Sequence, residues 1–240
     1  MSQPAVRQPD SPALSGWRAS LRVLTDPIET FQRLGPRPAV LPPYAIQMVV
    51  ALAAFLLSMQ ATMAVYDEQM AQVASQPGAA QLDAGMMTTM RWVTLGFAGV
   101  TSVAGPWLIG MLLSFVAVFF GQFQGGGVSL SAYLGMIGYA RMPLVLSQLL
   151  GAVYMALTGQ ALNMSLAVFL PDGASPYLSG LLGMVNPFGL WYYALLGVGF
   201  AALFGRSPRR GWLLPAALFV LGTVANVLGS GMGAATVQMQ

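Results

Sequence analysis

From Tyr44 onward the chain is a succession of long apolar stretches, with its polar residues gathered in the gaps between them. A helix crossing a hydrocarbon core of roughly 30 Å needs about 20 mostly apolar residues. Five stretches meet that length: 44–65, 92–120, 132–157, 177–204 and 212–229. The pattern predicts an all-α, polytopic membrane bundle of five transmembrane helices. It divides the chain into a leader at 1–43, a membrane domain at 44–230 and a tail at 231–240. The second stretch is longer than a straight crossing needs and carries Gly105-Pro106 near its middle, which predicts a kink or a strong tilt.

The leader has a different period. Leu14, Trp17, Leu21, Leu24, Ile28 and Phe31 recur at spacings of three and four and so share one helical face, opposite Arg18, Arg22 and Arg33. Asp26-Pro27-Ile28-Glu29 reads as a fresh helix start, with Asp as N-cap, Pro at the first position and Glu in the first turn; Gly35-Pro36 stops it. Such an amphipathic segment suits either the surface of an anionic leaflet or the ends of the spans themselves.

Within the spans, small residues recur every four positions: Ser102, Pro106, Gly110 and Ser114 on the second, Gly197, Ala201 and Gly205 on the fourth. Stripes of this kind let two helix backbones approach closely. The segment 66–90 carries Met70, Met86, Met87 and Met90, a set of thioethers able in principle to ligate Cu(I), although methionine here is spread along the whole chain as adaptable packing. No metal or cofactor site is expected. The turn at 121–127 lacks the Gly-Lys-Ser/Thr ending of a phosphate-binding loop.

Composition sharpens this picture. With 56% hydrophobic and 7% charged residues, the chain could not cover a water-soluble surface. It has no Cys and no His, which removes disulfides, thiol chemistry, histidine bases and the usual zinc sites. All ten basic residues are Arg, and with abundant Ala, Gly and Pro this points to a GC-rich bacterial genome. Eight of them fall on one side of the five spans: Arg7, Arg18, Arg22, Arg33 and Arg37 in the leader, and Arg206, Arg209 and Arg210 before the fifth span. Basic residues collect on the cytoplasmic side. The expected location is a bacterial inner membrane, with the amino terminus cytoplasmic, the carboxyl terminus external, and the first span acting as targeting signal, since no cleavable signal peptide is visible. These arginines are accounted for by topology and leave no nucleic-acid footprint.

Three segments then carry a resemblance: Asp26-Pro27-Ile28-Glu29-Thr30-Phe31, Gly138-Tyr139-Ala140-Arg141-Met142-Pro143, and Asn186-Pro187-Phe188-Gly189-Leu190-Trp191. In this order and spacing the chain resembles the YIP family, the Ypt/Rab-interacting membrane proteins and their prokaryotic relatives. The resemblance implies a five-span helical bundle with a cytoplasmic amino terminus and no catalytic residues. Eukaryotic members associate with small GTPases, but this chain lacks their longer cytosolic domain and their Asp-Leu-Tyr-Gly-Pro motif, so a GTPase partner is not expected to carry over.

Arg141 departs from that family pattern. A charge at mid-membrane costs from about 2.5 kcal/mol upward. Arg141 lies about nine residues into its span, or roughly 14 Å, and the favoured expectation is that it snorkels to the cytoplasmic interface. The alternative is a buried cation paired with carbonyls or an anion, with Pro143 freeing a carbonyl nearby. The candidate functional or packing positions are therefore Arg141, Pro143, Asn186, Pro187, Gly197, Ala201 and Gly205. The expected function is a non-enzymatic scaffold that organises lipid, a membrane-protein partner or a second copy of itself. A component of a small-solute transporter or channel, with Arg141, Gln148 and Asn186 lining its path, is the alternative. A lipid-directed enzyme fits least, for want of a base or a carboxylate pair.

Overall fold

A computed structural model describes residues 14–74, 84–123, 127–171, 173–204 and 211–238. Nine α-helices and one short 3-10 turn, Leu166–Phe169, account for the secondary structure among the described residues, and no strand occurs there. The leader forms α1 (Gly16–Arg22) and α2 (Pro27–Leu34). The spans are built from α3 (Leu41–Ala74), α4 (Ala84–Phe123), α5 (Leu130–Ala140), α6 (Met142–Thr158), α7 (Pro176–Gly183), α8 (Pro187–Phe204) and α9 (Leu213–Gln238). Four of these, α3, α4, α8 and α9, are long and apolar enough to cross a membrane singly, and α5 with α6, bent by 42°, passes the same test as a pair, either a broken fifth span or a re-entrant loop.

Three of the predicted boundaries come out differently. The stretch 132–157 is not one straight helix: α5 ends at Ala140 and α6 begins at Met142, with Arg141 between them and Pro143 in the first turn of α6. Proline has no amide hydrogen to continue the ladder of α5, so the chain restarts there. The stretch 177–204 divides into α7 and the span α8, separated at Asn186-Pro187 for the same reason. The tail expected from Gly231 is helical as far as Gln238, as the end of α9.

The second span, by contrast, runs on through Pro106 as one helix of 40 residues, and α3 has 34. At 1.5 Å per residue both far exceed the hydrocarbon core, so their adjoining ends extend past it. There Arg91 meets Asp67 at 3.5 Å.

Lipid tails are as apolar as leucine, so what holds the spans together is close packing and interhelical hydrogen bonding. The packed centre is α5, in which every residue from Ala132 to Ala140 is buried. Tyr133, Met136 and Ile137 of α5 meet Leu195, Leu196 and Phe200 of α8, and Phe31 of α2 closes the cluster at the leader end. α4, with Phe97, Val100, Leu108, Leu112 and Phe115 exposed, turns a broad apolar face to lipid.

Candidate functional site

The break between α5 and α6 brings polar groups into the packed part of the bundle. Gln47 on α3 is only 3% exposed. Its Nε2 donates to the carbonyls of Pro43 and Gly138, both at 3.1 Å. With the amide nitrogen committed to those two carbonyls, its Oε1 is left to accept from Arg141 Nε at 3.0 Å. One turn earlier on α3, Tyr44 donates its hydroxyl hydrogen to the Leu134 carbonyl at 3.2 Å. The Tyr44 ring stacks on Trp107 of α4 with centroids 4.4 Å apart. Tyr192 is buried on the neighbouring span α8. Helices α3, α4 and α5 thus converge through Tyr44, Gln47, Trp107 and Arg141; the donors of Tyr44 and Gln47 are committed to carbonyls, which leaves the Arg141 guanidinium as the group able to hold an anion.

Two features soften the cost of Arg141. It is half-buried rather than enclosed. Its partner Gln47 lies six residues from the start of α3, or about 9 Å along the helix. The guanidinium thus makes a specific contact while part of the side chain stays accessible. Pro143 is buried at the start of α6.

The other candidate positions lie elsewhere. Asn186 Oδ1 accepts from the Gly189 amide at 2.7 Å, which makes Asn186-Pro187 the N-terminal cap and first residue of α8. Gly197 and Ala201 face the start of α9: a Cβ on Gly197 would lie 2.8 Å from the Trp212 ring, and one on Gly211 would lie 2.7 Å from Ala201. That stripe packs within the chain. Gly205, like Arg206, Arg209 and Arg210, lies outside the described residues. Met70 and Met87 share a hollow with Tyr66, Asp67, Thr88 and Arg91, whereas Met86 and Met90 are exposed, so the four thioethers do not converge. Among the described residues no group of three or more His, Cys, Asp or Glu is placed to hold a metal.

Sequence reasoning singled out neither Tyr44, Gln47 nor Tyr192. Gln47 had a signal, because a glutamine inside an apolar span is costly unless its amide is satisfied. The tyrosines had none.

The leader uses both sides of its apolar face. Val23 and Phe31 are buried, and Leu14 and Leu24 pack beside them on the core. Trp17, Leu21 and Ile28 are 52%, 65% and 60% exposed on the other side. The corner between α1 and α2 is tied by Arg22, which bridges Asp26 at 3.2 Å and Glu29 at 2.5 Å, and Glu29 also meets Arg33 at 2.5 Å. The hydrogen bond with Glu29, together with the Arg22 guanidinium, holds the Asp26 carboxyl below its ordinary 3.8.

Four to five apolar spans around a buried central helix, with an amphipathic leader packed on one end, define a polytopic α-helical membrane protein. The Yip1 domain matches residues 21–229, and the chain belongs to that family. No curated protein and no solved structure matches it.

Proposed function

We propose that this Yip1-domain protein is a non-enzymatic scaffold of a bacterial inner membrane, cytoplasmic at its amino terminus and external at its carboxyl terminus, which organises anionic lipid and a membrane-protein partner. The observation that supports this most is the two-sided leader. One row, Val23 and Phe31, anchors it to the bundle, and a second, Trp17, Leu21 and Ile28, remains free beside Arg18 and Arg37, which have no acidic partner among the described residues. An apolar row next to uncompensated arginines, fixed at the end of a membrane bundle, has the chemistry of a surface lying in an anionic headgroup layer. No acidic relay lies inside the spans, as proton-coupled transport would require.

The chain has no native cysteine, so single cysteines at positions 17, 21 and 28 can each carry an environment-sensitive fluorophore in full-length protein reconstituted with phosphatidylglycerol. Blue-shifted emission, quenched by lipids spin-labelled near the headgroup, is expected at all three. Water-like emission at all three would remove the leader from the membrane and defeat the reading. Saturable solute uptake by the same proteoliposomes, abolished by Arg141→Ala, would replace the scaffold with a transporter.

A further inference from the structure

Among the described residues Arg141 forms no ion pair. The sequence contains no Asp or Glu between Asp83 and Asp172 and none after Asp172. Of the described carboxylates, Asp26 and Glu29 are held by Arg22 and Arg33 and Asp67 by Arg91, while Glu68 stands on α3 well beyond Gln47, roughly 31 Å further along the helix. The group that meets Arg141 is neutral, the Gln47 amide oxygen at Nε. A guanidinium has five N–H donors, and among the described residues only the one on Nε has a partner. No Arg141 nitrogen is among the buried atoms that lack a partner, so the free donors lie on the accessible part of the side chain.

A half-buried cation beside lipid is costly unless an anion joins it. At a depth of roughly 9 Å from the start of α3, within snorkelling reach of the headgroups, the abundant anion is a phospholipid phosphate. We propose that Arg141 is a binding site for the phosphodiester of a membrane phospholipid, with Gln47 as the residue that positions it. Gln47 fixes the Nε side of the guanidinium through its own two backbone bonds. That presents the terminal N–H groups as a fork, a geometry matched to the two non-bridging oxygens of a phosphate. Lysine has the charge but not the fork. Arg18 on α1 and Arg37 beyond the end of α2, which form no ion pair among the described residues, serve as the comparison.

The test uses full-length protein in a neutral detergent, titrated with phosphatidylglycerol, with diacylglycerol of the same chains, and with inorganic phosphate. Native mass spectrometry should show one retained phosphatidylglycerol on the wild type. Its apparent affinity should fall at least fivefold in Arg141→Gln and by less in Arg141→Lys, and should be unchanged in the leader variant Arg18→Gln/Arg37→Gln. Equal retention by Arg141→Gln overturns the proposal, and so does loss of the lipid in the leader variant alone. A second arm needs no variant, should Arg141→Gln not fold. Phosphatidylglycerol should raise the melting temperature of the wild type, whereas diacylglycerol and inorganic phosphate should not. A rise as large with diacylglycerol means an acyl-chain effect, a rise as large with inorganic phosphate means a free-anion site, and either overturns the assignment. Failure of the leader to enter the headgroups would leave these outcomes untouched, so the two readings fail separately.

Discussion

Tyr44 shows how a few residues set the spacing of the spans. It is fully buried, its ring lies on Trp107, and its hydroxyl reaches α5. Two glycines make room for it. A Cβ on Gly110 would run into the Tyr44 hydroxyl and ring, and one on Gly138 would lie 2.8 Å from the same ring and 2.9 Å from Pro43. Neither side can give way easily, because both the ring and the proline are packed. Gly110→Ala is therefore expected to destabilise the protein by about 1–3 kcal/mol through overpacking, seen as a lower melting temperature in detergent. A Cβ on Gly151 of α6 would meet nothing within 4 Å, so Gly151→Ala should be neutral or slightly stabilising, since alanine is the better helix former by up to about 1 kcal/mol. If the two variants melt alike, the tight fit of Tyr44 is not what spaces α3 from α4.

At the scale of elements, the informative places are where helices start and stop. Asn186 supplies a side-chain acceptor for an amide that the first turn of α8 cannot satisfy internally. Asn186→Ala should cost about 0.5–2 kcal/mol and Asn186→Ser much less; equal losses for the two would mean that the residue does something other than cap. The α1–α2 corner adds a dependence on pH. Asp26 has a folded-state pKa below its ordinary 3.8, so its contribution is fully present above that value and is lost as pH falls through the depressed one. Arg22→Gln should accordingly lower the melting temperature at pH 7 and at pH 5. The gap to the wild type should begin to narrow as pH falls below 3.8 and should close only below the depressed pKa of Asp26, once that carboxyl is protonated in both. A gap that persists unchanged to pH 2 would mean that Arg22 acts by packing alone.

Across the whole molecule, with α5 and α6 counted as one span the crossings number five, and we predict the leader and the end of α9 on opposite faces of the membrane. The arginine distribution adds which face is which: reporters fused after Gln240 should be active only outside the cytoplasm, and cytoplasmic activity alone would invert the assignment. The membrane class, the helical fold and the family were legible in the sequence because each rests on long apolar runs and on short motifs in a fixed order, which survive without three-dimensional information. The amphipathic leader was legible too, as a period of three and four, and so was the helix start at Asp26, which does accept from the Glu29 amide.

The company of Arg141 was not legible. Its sequence position marks it as a charge inside an apolar stretch, but its partner follows from the 42° break and from the lateral register of α3, which sets Gln47 beside it. Nor did hydropathy single out α5 as the centre, because every span is apolar enough to face lipid and the drive to bury one rather than another is small. What selects α5 is the fit of its glycines: Gly135 lies against the Pro38 carbonyl and Gly138 against Tyr44. The sequence alone determined that this chain crosses a membrane as helices and which residues are out of place in lipid. Only the tertiary structure decided which of those residues meet, because that depends on close contacts between segments far apart in the chain, such as Arg141 with Gln47 at a separation of 94, and no local pattern encodes them.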